Sequence, residues 1–331
     1  MSQTGILLVQ LGTPDAPTAP ALKKYLKQFL SDPRLIEMPR WKWSIILNLF
    51  ILPRRPAQSA KKYARIWDKV KGSPLLHYTR MQAALLQEKF PDIEVDFGMQ
   101  IGNPPLVDSL RGMVAKGVEK LLVFPMYPQY SATTTGSAMD CLGHACKQIR
   151  KVPALRVVPP YFEHPGYIQA LAAIVHEQVS RLEWQPDHFL ISFHGIPLEY
   201  CQKGDPYNLQ VEKTTKALVK ELGWEKVSWS QSYQSLFGKG EWLRPYTEDH
   251  LRELAGQGKK RVFIVTPGFT SDCLETLDEI GHEAAEVFLQ AGGEKLFQCP
   301  CLNDHPVWIQ AMSQILREEG VGWLENGDSQ S

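Results

Sequence analysis

The sequence predicts an α/β fold of two similar halves, each a parallel sheet flanked by helices. Three observations carry that expectation. Short continuous apolar runs, such as residues 6–10 and 262–265, alternate with stretches of helical period, the pattern of strands buried on both faces and joined by crossover helices. The run Leu7-Leu-Val-Gln-Leu-Gly-Thr-Pro14 lines up with Leu190-Ile-Ser-Phe-His-Gly-Ile-Pro197, and Lys120-Leu-Leu-Val-Phe-Pro125 lines up with Arg261-Val-Phe-Ile-Val-Thr-Pro267 apart from one extra residue. With 331 residues, 44% hydrophobic and 22% charged, the chain is long enough for two domains or one large one and has an ordinary globular composition.

The elements follow in order. Residues 6–10 read as a buried strand entering the turn Gly12-Thr-Pro14, and a helix is predicted over residues 20–30. Residues 41–53 form an apolar run with Trp41, Trp43 and Lys42, closed by Arg54-Arg55-Pro56. The run is shorter than the roughly 20 residues that cross a bilayer, and it suits an interfacial segment, the lip of an apolar pocket or an ordinary buried helix. The turn Gly72-Ser-Pro74 precedes a helix expected from about residue 80 to 90. Strands are then predicted at 93–100, 120–124, 156–158, 188–192, 227–231, 262–265 and 295–298. Between them fall helices at 106–116, after Thr135, and at 165–182, 211–222 and 248–257, with a last one at 306–319. The two repeated pairs differ in offset by about forty residues, so the first half, residues 1–160, carries an insertion at about 31–80 that contains the lip. The second half spans 161–325, with its last helix free to pack back on the first, and residues 326–331 are expected to fray.

Thirty-six basic against thirty-six acidic residues leave no global charge, so neither a nucleic-acid surface nor an acidic tail is suggested, and any charged binding site must be local. The N-terminus lacks the basic region and cleavage site of a secretory signal, so a cytoplasmic protein is expected. The six cysteines form no CxxC pair and are expected to be reduced; Cys299-Pro-Cys301 is a weak metal hint.

Three stretches carry chemistry. Thr266-Pro-Gly-Phe-Thr-Ser-Asp-Cys-Leu-Glu-Thr-Leu-Asp-Glu-Ile-Gly-His-Glu283 follows a strand and opens a helix capped near Thr270 to Asp272. Glu275, Glu279 and Glu283 recur every four residues along one helix face. Like charges at that spacing cost roughly 0.2–0.5 kcal/mol per pair, so the stretch is either a solvated acidic face or a cation site, with Asp272 and Glu275 also fitting a capping box. His194 ends a strand at a place where the duplicate half has Leu11, so the fold itself does not require histidine there. Both turns lie beyond the carboxyl ends of strands, where open α/β sheets bind ligands. Phe124-Pro-Met-Tyr-Pro-Gln-Tyr-Ser-Ala-Thr-Thr-Thr-Gly136 offers aromatic walls and hydroxyls for a large planar ligand, or a turn stiffened by proline.

Leu11-Gly-Thr-Pro14, Gly72-Ser-Pro74, Tyr127-Pro-Gln-Tyr-Ser131, Ser192-Phe-His-Gly195, Gly204-Asp-Pro-Tyr207 and Thr270-Ser-Asp-Cys-Leu-Glu-Thr-Leu277, in this order, resemble the ferrochelatases over essentially the whole chain. The resemblance implies two flavodoxin-like (Rossmann-like) halves, the chelatase fold, with protoporphyrin IX in the cleft and ferrous iron inserted to give protohaem. It implies His194 and Glu275 as the iron ligands and catalytic pair, with Glu279, Glu283 and Asp272 as an acidic track for iron delivery or proton exit. Leu11, Tyr127, Trp242 and Phe269 match positions that contact the ring, while Arg55, Tyr63 and Ser73 match positions that meet propionates or line the lip.

The chain departs from the family at two places. Met99-Gln-Ile-Gly102 puts Gln100 where many relatives have an arginine, and Ala132 stands where animal enzymes have a cysteine, so no 2Fe–2S cluster is expected. Leu11, in place of the tyrosine of coproporphyrin-using relatives, favours protoporphyrin. Other readings are a chelatase for another tetrapyrrole or metal (coproporphyrin, sirohydrochlorin, cobalt) and a non-catalytic haem or iron carrier. Residues 41–53 leave peripheral contact with the inner face of a membrane open; the oligomeric state is not legible.

Overall fold

A computed structural model describes residues 3–236 and 240–324; the tail expected to fray, 326–331, lies outside the described residues. Two parallel four-stranded sheets organise the chain. β1 (Gln3–Thr13), β2 (Glu94–Gly102), β3 (Val118–Pro125) and β4 (Ala154–Val157) form the first, in the order β2-β1-β3-β4. β5 (His188–His194), β6 (Trp229–Gln234), β7 (Arg261–Val265) and β8 (Lys295–Gln298) form the second, in the order β6-β5-β7-β8. The two orders are the same, with β1 and β5 in equivalent places, as the sequence duplication requires. Leu8 of β1 sits opposite Phe97 of β2 and Phe124 of β3, and Phe189 of β5 opposite Trp229 of β6 and Phe263 of β7. Ile6, Leu7, Leu8 and Val9 are all fully buried, because helices cover both faces of the sheet; this is why the strand reads as a run rather than an alternation.

Two helices tie the halves together. Helix Pro165–Arg181 packs on helix Tyr207–Glu221 of the second half, helix Pro306–Glu319 packs on helix Pro74–Lys89 of the first, and the first of each pair also pack on each other. Each of those two begins with a His-Pro step. His164 Nδ1 accepts from the Gly166 N–H at 3.1 Å while its Nε2 meets Glu318 at 3.0 Å; His305 Nδ1 accepts from the Val307 N–H at 3.3 Å while its Nε2 meets Glu177 at 3.0 Å. Each helix start is thus held by a carboxylate near the end of the other. Tyr167 and Trp308, both fully buried, meet between them with ring centroids 6.0 Å apart.

The insertion differs from expectation in two places. Residues 55–66, for which no helix is predicted, form helix Arg55–Ile66, with the proline in the first turn where its missing N–H costs nothing. Helix Pro74–Lys89 begins six residues before the predicted start, again with proline at the N-terminus, and Gly72 at φ +77° makes the turn that precedes it. The apolar run itself is helix Arg40–Ile46 followed by a π-helical turn, Leu47–Ile51. It has two faces. Trp43 and Leu47 are buried against the insertion's own core, whereas Trp41 and Leu49 are each 66% exposed and Phe50 is 59% exposed.

Candidate functional site

The carboxyl ends of the central strands of both sheets open into one cleft. Gln10 to Thr13 end β1, Met126 to Thr134 follow β3, His194 ends β5, and Gly268 to Glu275 follow β7; all four segments line one cavity, together with Tyr25, Tyr63 and Ser73 from the insertion side. The cavity is open to solvent at its mouth, with mostly apolar walls and few polar groups, the composition of a site for an organic ligand. Close approach of β1 and β2 at this end requires Gly12, whose φ is +110° and where a Cβ would lie 1.7 Å from the Ile101 carbonyl oxygen.

His194 is held from both sides. Its Nδ1 lies 2.6 Å from the carbonyl of Gly195, which can only accept, so the proton resides on Nδ1 and Nε2 is left as the free base. The Tyr207 hydroxyl donates to the His194 carbonyl at 2.9 Å, and the Gly195 N–H donates to the Gln234 carbonyl at 2.8 Å. Burial pushes the imidazole pKa below its ordinary value, against the opposing pull of the Glu275 charge, so the ring is neutral at pH 7. Phe269 stands beside it with ring centroids 6.4 Å apart. Trp242 packs over the same turn, where a Cβ on Gly195 would lie 3.3 Å from its ring, and it lies outside the cavity lining.

The acidic stretch is not the α-helix expected. Glu275–Ala284 is a π-helix, continued by a short α-helix, Ala285–Gln290. The wider i→i+5 turn is a rare geometry, found mostly as single turns and often at functional sites. No side chain caps its start. Glu275 faces the cavity, with its own carbonyl taken by Gln234 Nε2 at 2.7 Å. Glu279 lies one turn on, outside the lining, and accepts from the Ser235 N–H and Ser235 Oγ, both at 2.6 Å. Glu283 pairs with Lys62 at 2.6 Å and with Arg65 at 3.4 Å, while buried Asp278 takes the Arg65 guanidinium at 2.5 and 2.9 Å. These cations come from helix Arg55–Ile66 and offset the like-charge cost that the spacing implied.

Burial pushes the Glu279 carboxyl up to about 7, with the Glu275 charge adding to it and the Ser235 donors opposing it. Between about 4.5, the ordinary value, and about 7 the folded state therefore binds more protons at Glu279 than the unfolded chain does, so the stability this group contributes falls as pH rises through that window. The stability difference between wild type and Glu279→Gln, measured by urea unfolding, is expected to drop by about 3 kcal/mol from pH 4.5 to 7. A difference flat across that range would contradict the assignment.

Asp272 does not continue the row. Its buried carboxylate accepts from Thr276 Oγ1 at 2.8 Å, Asn303 Nδ2 at 2.7 Å and the Cys301 N–H at 3.3 Å, tying the start of the acidic segment to the loop after β8. Asp272→Ala leaves those donors unsatisfied and is expected to cost about 2–4 kcal/mol of stability in urea unfolding.

Leu11, Tyr63, Ser73, Tyr127 and Phe269 line the cavity with His194 and Glu275; Arg55 lies outside the lining, half-buried at the first turn of its helix. Ser73 Oγ donates to Thr13 Oγ1 at 2.8 Å. Gln100 sits behind Tyr127, its Nε2 2.5 Å from the phenol oxygen and its Oε1 3.1 Å from Ser137 Oγ. Four contributors had no role assigned from sequence: Gln234 and Ser235, which clamp the π-helix, Tyr207, and Asp205, whose carboxylate accepts from Ser131 Oγ at 2.8 Å and the Ala132 N–H at 2.7 Å across the cleft. Only Asp205 and Tyr207 had a signal, the run Gly204-Asp-Pro-Tyr207. Among the described residues no group of three or more His, Cys, Asp or Glu could hold a metal ion.

Comparison with known proteins adds to this geometry. A family model described as ferrochelatase matches residues 3–320. The chain is 47% identical over 326 residues to a ferrochelatase of Azoarcus sp. strain BH72, covering 98% of this chain and 89% of that one. It is 45% identical to a ferrochelatase of Rhizobium meliloti, covering 97% and 96%. Among solved structures, SirB from Bacillus subtilis with Fe3+ matches with TM-score 0.53 and 14% identity over 77% of this chain and 96% of that one. A sirohydrochlorin chelatase SirB from Bacillus subtilis subspecies spizizenii in complex with cobalt matches with TM-score 0.52 and 12% identity over 99% and 98%. At such identities the structural likeness is one of fold, two parallel sheets facing a common cleft.

Proposed function

The chain belongs to the ferrochelatase family, and from that premise we propose that it inserts Fe2+ into protoporphyrin IX in the cleft between its two sheets, giving protohaem and two protons. It is an enzyme, a porphyrin metal chelatase acting in haem biosynthesis. The ring lies against Leu11, Tyr127 and Phe269, with its edge carboxylates toward Ser73, Tyr63 and the Arg55 end of the insertion; a guanidinium pairs bidentately with a carboxylate. Metal insertion removes two pyrrole protons while iron sheds its own ligands. Nε2 of His194 takes a proton, and the Glu275 carboxylate meets the incoming metal; Glu279, with its carboxyl near neutrality, is suited to accept a proton and release it toward Glu283 and solvent. Oxygen and imidazole donors suit ferrous iron without holding it too firmly for transfer. One observation carries this reading: His194, fixed as the Nδ1–H tautomer at the end of β5, and Glu275, in the segment after β7, line the same cavity.

The test is insertion of Fe2+ under anaerobic conditions into protoporphyrin, coproporphyrin and sirohydrochlorin, with cobalt as the competing metal. Protoporphyrin with iron is expected to turn over fastest. Preference for coproporphyrin would overturn the role given to Leu11, and binding without turnover would favour a carrier.

The exposed face of the lip supports peripheral docking on the inner, cytoplasmic face of a membrane. Trp41, Ile45, Leu49 and Phe50 project outward beside Arg40, Lys42 and Arg54, an apolar face with basic flanks. Among the described residues no helix is long and apolar enough to cross a membrane. The pair of changes Trp41→Ser and Phe50→Ser is expected to weaken binding to anionic vesicles in sedimentation at least about tenfold, since each buried aromatic contributes roughly 1.5–3 kcal/mol; unchanged binding would remove the lip from the contact. We also read the chain as lacking a 2Fe–2S cluster, because Ala132 stands where the animal enzymes have a cysteine. Stoichiometric acid-labile sulfide in the purified protein would overturn that.

A further inference from the structure

The end of β6 reaches the acidic helix twice. Gln234, its last residue, holds the Glu275 carbonyl, and Ser235, the next, has φ +66°, a left-handed conformation that residues other than glycine rarely adopt. That turn of the backbone brings two donors of one residue onto one carboxylate. The Ser235 N–H meets Oε1 of Glu279 and the Ser235 hydroxyl meets Oε2, each at 2.6 Å, so both oxygens of a half-buried side chain are fixed by short, charge-assisted bonds. A glycine would reach the same backbone conformation with less strain but would supply only one of the two donors; uncommon conformations of this kind cluster at functional sites.

We propose that Ser235 is a positioning residue for metal insertion: its strained turn forms a two-point clamp that holds the Glu279 carboxylate in register behind Glu275, aimed to receive a proton leaving the ring. The proposal rests on the reading of Glu279 as a proton acceptor. Because β6 pairs directly with β5, which ends in His194, the same strand edge that fixes the base also fixes this acceptor. Ser235 touches neither ring nor metal in this account and acts only through Glu279.

A double-variant cycle on the full chain separates that role from simple loop anchoring. Ser235→Gly keeps the backbone conformation and the N–H donor and deletes only the hydroxyl, so the fold is retained. It is expected to lower kcat for iron insertion about tenfold, the size of one charge-assisted hydrogen bond, with KM for protoporphyrin unchanged. In a Glu279→Gln background the same change is expected to alter kcat less than about twofold, because the group it acts through is gone. An equal fractional loss in both backgrounds, or a loss confined to KM, overturns the proposal while leaving the reading of Glu279 intact. If Glu279→Gln alone leaves kcat unchanged, the reading of Glu279 fails and the proposal falls with it.

Discussion

Replacing His194 by alanine is expected to slow iron insertion by about 10²–10⁴-fold, the range by which a positioned general base accelerates proton transfer, with little change in the affinity for protoporphyrin. The loss follows from tautomer and position together. The Gly195 carbonyl consumes Nδ1, so Nε2 is the one basic atom the ring offers, and burial keeps it unprotonated at neutral pH. Since the imidazole pKa lies below its ordinary value, the contribution of His194 to the wild-type rate should be lost only on the acid side. Imidazole added to the alanine variant should restore part of the rate. Steady-state turnover with and without added imidazole checks this, and an undiminished rate would remove His194 from the mechanism.

Glu275→Gln is the second large effect. The change keeps the size and shape of the side chain and removes its charge, so porphyrin binding should persist while iron insertion falls by about 10²-fold or more. A neutral amide neither attracts the metal dication nor accepts a proton. The loss should appear as a raised KM for Fe2+ together with a lowered kcat, because the carboxylate meets the metal before and during insertion. A variant with normal KM for iron would place the metal elsewhere. Glu279→Gln, by contrast, should leave KM for iron near its wild-type value.

Much of this site was legible in the sequence, for identifiable reasons. A parallel strand covered on both faces is a continuous apolar run, so β1 and β5 stand out, and their alignment exposes His194 as the position where the duplicate has Leu11. The four-residue spacing of Glu275, Glu279 and Glu283 places them on one side of a helix, but it cannot separate α from π winding, since residues four apart stay close together in both. Helix Arg55–Ile66 was hidden by a proline that reads as a breaker until its place in the first turn is known. Its Lys62 and Arg65 explain why the acidic row is tolerable. Ser235 and Gln234 left no trace, because a left-handed backbone angle and a contact between the end of one strand and a distant helix have no local sequence pattern.

Asp272 marks the opposite case. Its neighbours in sequence suggested a cap and a member of the acidic row, yet its partners are Asn303 and Cys301, about thirty residues away, and Thr276. Burial of its carboxylate among several donors makes it part of the scaffold that holds the segment entering the π-helix.

The central claim is that His194 and Glu275 act as one unit on a single bound ring. The most direct test is the single-turnover rate of iron insertion in enzyme already saturated with protoporphyrin, compared among wild type, His194→Ala, Glu275→Gln and the double variant. Residues acting as a unit give strongly non-additive losses, so the double variant should be no more than a few-fold slower than the slower single variant. A double-variant loss equal to the product of the two single losses would mean that the residues act independently, and would contradict the account.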